Sequence, residues 1–254
     1  MLWGSFGAVH IASLVLGAAI IIGLYFLLRK CRPKTQTLIL GILSFSGIAA
    51  VIFNLVSWDS PWEYLPLHLC SLNALVLPIA VFSKNKMLSN LLLLWSLGAV
   101  MALVVNSAQA GFEVFSSIFF FYFFPHLLEF GIPILLFVLG HVKKELKYIA
   151  STICITFIAC VVIHFANVGL NDYFAAHNIL NPAGNLVTVN YMYTLRPENP
   201  VLALFWSLIP YPFWYLMPVL AIIAVYLGLV YLPQIIALCW QKQYQKSRKA
   251  GNTP

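Results

Sequence analysis

Apolar positions along the chain fall in long unbroken blocks, without the spacing that marks the half-buried elements of a soluble domain. Seven blocks come near the roughly 20 residues that a bilayer core requires: 7–28, 36–57, 64–83, 87–106, 116–140, 148–168 and 211–232. The pattern predicts an all-α integral membrane protein with about seven transmembrane helices in a single polytopic domain, residues 1–240. The first block is expected to stay in place, because its charges follow the apolar stretch instead of preceding it. A shorter apolar piece, 201–209, reads as an interfacial helix leading into the last span. The long stretch between, 169–200, is expected as an outer loop or lid. Its NPAGN and RPENP mark turns, and LVTVNYMYTL reads as a short hairpin arm or re-entrant lid.

Charge fixes an orientation. Arg29, Lys30, Arg32 and Lys34 follow the first block, Lys84 and Lys86 the third, and Lys143, Lys144 and Lys147 the fifth. Lys242, Lys246, Arg248 and Lys249 fall in a basic tail, 241–254, that is expected to be cytoplasmic. Thirteen of the 14 basic residues therefore share one face, and only Arg196 lies on the other. The positive-inside rule then predicts an outer N-terminus and a cytoplasmic C-terminus. Composition agrees with a membrane protein: 62% of residues are hydrophobic, 8% are charged, and the mean hydropathy is +0.92. The net charge of +7 reads as a topology signal, with no nucleic-acid partner implied. The five cysteines have unrelated spacings and none falls in an outer loop, so no disulfide framework or metal motif is expected.

With this topology the intramembrane polar residues of note gather in the outer half. Asn54, Asn106, His164 and Asn167 lie near the outer ends of their spans, with His10, His68, Cys70, Asn73, His126 and Glu129 at similar levels. The inner halves read as almost purely aliphatic and aromatic. Ionisable groups inside spans usually face a bundle interior or a wet cavity, so the set predicts a polar chamber in the outer half. Any one Asn is more simply read as glue between helices.

Cys70 and His126 are the reactive pair to weigh. A thiol becomes a nucleophile when a base removes its proton. His68 lies two residues from Cys70, and side chains at that spacing diverge on a helix; His126 arrives from another span. The bland reading keeps Cys70 as a small core residue, like Cys154, Cys160 and Cys239. Glu129, three residues after His126, either orients the imidazole or is protonated and bonded to a neighbouring helix. FFFYFF (119–124) and IPYPFWY (209–215) read as interfacial aromatics and an anchor.

LPLHLC (65–70), FPHLLEFGIPILLF (124–137), NYMYTL (190–195) and IPYPFWYLM (209–217) resemble the YwaF family of bacterial membrane proteins, to which animal transmembrane protein 164 also belongs. The resemblance spans roughly residues 36–235. It implies an acyltransferase using a Cys/His pair on phospholipids, with Cys70 as nucleophile, His126 as base and His68 in the same motif. Asn190, Tyr191 and Tyr193 match the outer-loop motif and would cap the chamber. In one respect the chain departs: many bacterial members place Gly directly after the His, where this chain has Leu127.

The expected function is a lipid acyltransferase or lipid-ester hydrolase in the bacterial cytoplasmic membrane, working through a Cys70 thioester near the outer leaflet. The partner would be a membrane phospholipid or lysolipid, with no cofactor or metal. Asn73, Asn106, His68 or backbone N–H groups are the oxyanion candidates. The alternative is a non-enzymatic carrier for a lipid or small polar molecule, with His164, Asn167 and Glu129 as ligands.

Overall fold

The computed structural model describes residues 1–58, 60–106 and 109–250, with side chains described through Gln241. The described residues form nine α-helices and no strand: α1 (Ala8–Leu28), α2 (Pro33–Ser44), α3 (Ser46–Ser57), α4 (Leu69–Ser83), α5 (Lys86–Val104), α6 (Ser117–Val138), α7 (Ile149–Ala176), α8 (Pro200–Leu208) and α9 (Val219–Ala250). Local chemistry sets several boundaries. The side chains of Asn85, Ser116 and Asn199 cap α5, α6 and α8 by accepting from the N–H three residues on, satisfying an otherwise orphaned donor. Pro33 and Pro200 occupy first-turn positions, where a missing N–H is harmless. The second predicted span is stepped at Phe45, between α2 and α3. There the Ser44 hydroxyl donates back to the Gly41 carbonyl at 2.6 Å, a bond that competes with the helix ladder and bends it.

Among the described residues, six helical stretches are long and apolar enough to cross a membrane: 8–28, 33–57, 86–104, 117–138, 146–176 and 214–241. The third predicted block differs. Residues 65–68 form a bend and tight turn ahead of α4, with the Leu67 amide donating to the Leu65 carbonyl at 2.7 Å; a residue before proline, here Leu65 before Pro66, is biased away from helix. The helix keeps 15 residues, about 22 Å of rise against a hydrocarbon core of about 30 Å. It nevertheless joins the two ends of the bundle.

One end holds the basic loops. Lys86 pairs with Glu145 at 2.7 Å, Lys144 donates to the Val230 carbonyl at 2.8 Å, and Leu28, Leu40, Val81 and Leu136 share one buried cluster beside them. At the opposite end the Trp3 amide donates to the Phe112 carbonyl at 2.8 Å, and the Tyr191 hydroxyl bonds the Trp62 carbonyl.

α5 and α6 form the centre, with 56% of their apolar windows buried against 11% for α1, α7 and the last span. The outer helices thus present their apolar faces outward, as expected where lipid replaces water. Gly17 of α1 faces Leu127 of α6: a β-carbon on Gly17 would lie 3.1 Å from Leu127 Cδ1. The bulky residue after His126 is accommodated by a small one on its neighbour.

Several sequence expectations change. The stretch expected as a loop from 169 begins as helix, since α7 continues to Ala176. NYMYTL contains a 3-10 turn at Tyr191–Tyr193 instead of a hairpin arm, and the nearest bridge, Leu180 to Leu186, is isolated. The backbone of the expected basic tail is helical to Ala250; residues 251–254 lie outside the described residues. Nor is the basic-end half purely apolar. Asn90 is buried there and bonds the Lys86 and Lys143 carbonyls, the Glu145 amide and the Tyr231 hydroxyl.

Candidate active site

α3 to α7, α8, the start of α9 and the 190–194 turn enclose a cavity of about 760 Å³. Cys70 from α4 and His126 from α6 both line it. His68, Glu129 and Tyr193 line it too, as do Tyr122, Ser71, Glu63 and Glu198. The wall toward α8 and α9 is apolar, with Leu202, Phe205, Leu220 and Ile223. Neither Lys nor Arg contributes to the lining among the described residues.

Cys70 owes its setting to the short α4. His68 is the N-cap residue, extended at φ −75° and ψ 154°, and its side chain makes no capping bond. Cys70 therefore lies in the first turn, where backbone N–H groups have no intrahelical acceptor and the helix dipole favours negative charge. Ser71, the next residue of that turn, also lines the cavity. A thiol that shares a cavity with a histidine has a base to which its proton can pass. Had the block formed one helix from residue 64, Cys70 would sit in a saturated backbone.

His126 is oriented by its own helix. Its Nδ1 lies 2.7 Å from the Tyr122 carbonyl, and a carbonyl only accepts, so Nδ1 carries the hydrogen. Nε2 is left as the basic atom. The Tyr122 ring packs against the imidazole at 4.4 Å between centroids, while its hydroxyl donates to the Ala102 carbonyl at 2.9 Å. The orienting contact that the sequence offered to Glu129 is thus made by Tyr122. The i−4 spacing was readable in FYFFPH, but nothing in those letters indicates that the ring folds back onto the backbone.

Glu129 is 3% exposed; its Oε2 has no hydrogen-bond partner among the described residues, and the carboxyl lies within electrostatic reach of His126 and Cys70. Asn73 is fully buried behind the cavity and donates to the Glu129 carbonyl at 3.4 Å. The other candidates separate from the pair. Asn106 donates to the Gly4 carbonyl at 2.7 Å and does not line the cavity. His164 bonds the Thr194 hydroxyl at 3.2 Å. Asn167 accepts from the Tyr191 amide at 2.9 Å while donating to the Tyr191 carbonyl and Thr194. Asn190 closes the same turn onto Arg196, Glu198 and Leu195. These side chains hold the turn; Tyr193 is the motif tyrosine that reaches the cavity. His10 is spent on the Leu103 carbonyl and the Phe6 amide.

The fold defines a multi-pass helical membrane protein, and ionisable side chains reach a largely apolar pocket inside its bundle. The TMEM164 family model matches residues 5–231, and the chain belongs to that family. No curated protein and no solved structure matches it.

Proposed function

We propose that the protein is a membrane-embedded acyltransferase or lipid-ester hydrolase that passes an acyl group through a thioester on Cys70. The carrying observation is that a first-turn cysteine and a histidine with a free Nε2 line one cavity. Family membership supports this reading, and by the positive-inside rule basic loops at the end away from the cavity favour an exoplasmic level for it.

The Cys70 S–H gives its proton to His126 Nε2 as sulfur attacks the ester carbonyl carbon. The carbonyl oxygen becomes an oxyanion facing the unpaired amides of the first turn of α4. Collapse breaks the bond between carbonyl carbon and alkoxy oxygen. The leaving alkoxide takes the proton from His126 and departs as a lysolipid, leaving the thioester. The hydroxyl of a second lysolipid, or water, then gives its proton to His126 and attacks the thioester, and the thiolate recovers that proton on leaving. A phosphate drawn into the cavity would meet carboxylates without a lysine or arginine, so the ester enters while the phosphate stays at headgroup level.

Purified protein is incubated in phospholipid nanodiscs, with and without added lysolipid, and the intact mass is followed. A hydroxylamine-sensitive acyl adduct is expected on Cys70 and absent from Cys70→Ala. Lipid turnover undiminished in Cys70→Ala would remove the thioester mechanism. A protein that binds lipid but never forms the adduct would be a carrier.

A further inference from the structure

His68 sits where a catalytic group would, yet its spacing from Cys70 makes it a poor base. It meets the outer turn: the Met192 amide donates to His68 Nδ1 at 3.3 Å. The rings of Tyr191 and Tyr193 flank the imidazole at 5.5 and 5.3 Å. An Nδ1 that accepts must hold its hydrogen on Nε2.

The turn that supplies this contact is strained. Met192 and Tyr193 both adopt left-handed conformations, φ 51° and 57°, which side chains other than Gly, Asn and Asp seldom take. Such conformations persist only where the surroundings over-determine them. Here Asn167 grips Tyr191 through both its N–H and its carbonyl. Asn171 holds Val189 in the same fashion, and the Tyr215 hydroxyl bonds the Tyr193 carbonyl. The left-handed step turns the Met192 amide inward, toward α4.

We propose that His68 is a further catalytic residue, an oxyanion donor through Nε2–H, and that the Met192 amide is the positioning group that fixes its hydrogen there. His68 is the N-cap residue of α4, and it lines the same cavity as the first-turn residues Leu69, Cys70 and Ser71. The outer turn thereby acts on catalysis through one backbone bond. This inference rests on the thioester reading given above.

Two isosteric substitutions separate catalysis from structure. His68→Asn keeps an acceptor near Nδ1 for Met192 and loses the donor at Nε2. His68→Gln places an amide N–H near Nε2 and loses the acceptor. The rate of Cys70 acyl-adduct formation is measured in phospholipid nanodiscs at varied lipid content, alongside thermal stability. Removing an oxyanion donor typically lowers the rate by about 10²–10³. His68→Asn is expected to show that loss at near wild-type stability and unchanged half-saturation, with His68→Gln the faster of the two. The reverse order, or His68→Asn acylating at the wild-type rate, would leave His68 a structural link and overturn the inference alone. Absence of any adduct on the wild-type protein would overturn the thioester reading, and the inference with it.

Discussion

His68 and His126 face one cavity with opposite tautomers. The Met192 amide places the hydrogen of His68 on Nε2, and the Tyr122 carbonyl places that of His126 on Nδ1. One ring is set to donate into the cavity and the other to accept. Their separate backbone partners let two chemically identical side chains play unlike parts.

For His126 the consequence is direct. His126→Asn retains a donor toward the Tyr122 carbonyl and removes the base. General-base contributions run to about 10²–10⁴ in rate, so acylation of Cys70 should slow by that order, as read by time-resolved intact mass. Raising the pH should restore part of the loss, since hydroxide can then generate the thiolate. A variant that acylates at the wild-type rate, or one indifferent to pH, would exclude His126 as the base.

At Gly47 α3 packs closely against both α4 and α6. A β-carbon there would stand 2.6 Å from the Ala74 β-carbon, 3.1 Å from Ala74 Cα and 2.9 Å from Glu129 Oε1. Because one of these atoms is backbone, the helices themselves must move. Gly47→Ala is expected to lower stability by about 1–3 kcal/mol and to disturb the wall that carries Glu129. At Gly23 a β-carbon meets nothing within 4 Å. Gly23→Ala should be neutral or stabilising by up to about 1 kcal/mol. Thermal unfolding in detergent distinguishes them, and equal melting temperatures would contradict the packing described.

At the basic end Asn90 joins three chain segments. It donates to the Lys86 carbonyl at 2.7 Å and to that of Lys143 at 3.5 Å, while its oxygen accepts from the Glu145 amide and the Tyr231 hydroxyl. Asn90→Leu strands those groups in a buried site, at about 1–3 kcal/mol for each one left unsatisfied. Tyr231→Phe should be milder, and the two substitutions together less than additive because they share a bond. Full additivity in a thermal double-mutant cycle would mean that the contact carries no energy.

Much of the architecture was legible because a bilayer demands long apolar runs, and α1, α5 and α6 follow their predicted blocks closely. Cys70, His68 and His126 were legible as polar anomalies in such runs. What escaped depends on backbone direction. Pro66 signals a late helix start, but only the fold shows that the start leaves Cys70 beside free amides. Asn167 reads as a chamber residue by depth and Asn190 as a chamber cap by motif, yet their amides are consumed by the 190–194 turn. Asn90 and Tyr231 lie far apart in sequence, so nothing local announced a polar junction at the basic end.

Acid should loosen that same junction. Glu145 contacts Lys86 and Lys147 at 2.7 Å each. Hydrogen bonds first from Lys147 and then from Lys86 hold its carboxyl well below its usual 4.5, at about 2. A group whose folded value is depressed stabilises the fold above the unfolded value and loses that contribution as pH falls through the folded one. The contribution is therefore intact above about 4.5 and fades as the pH approaches about 2. The informative quantity is the difference between the wild type and Glu145→Gln. Their melting temperatures should lie apart near neutrality and converge in acid. The gap should also narrow in high salt, because these charges are exposed to screening. Curves that run parallel through the whole acid range would show that the Lys86–Glu145–Lys147 cluster adds nothing to stability.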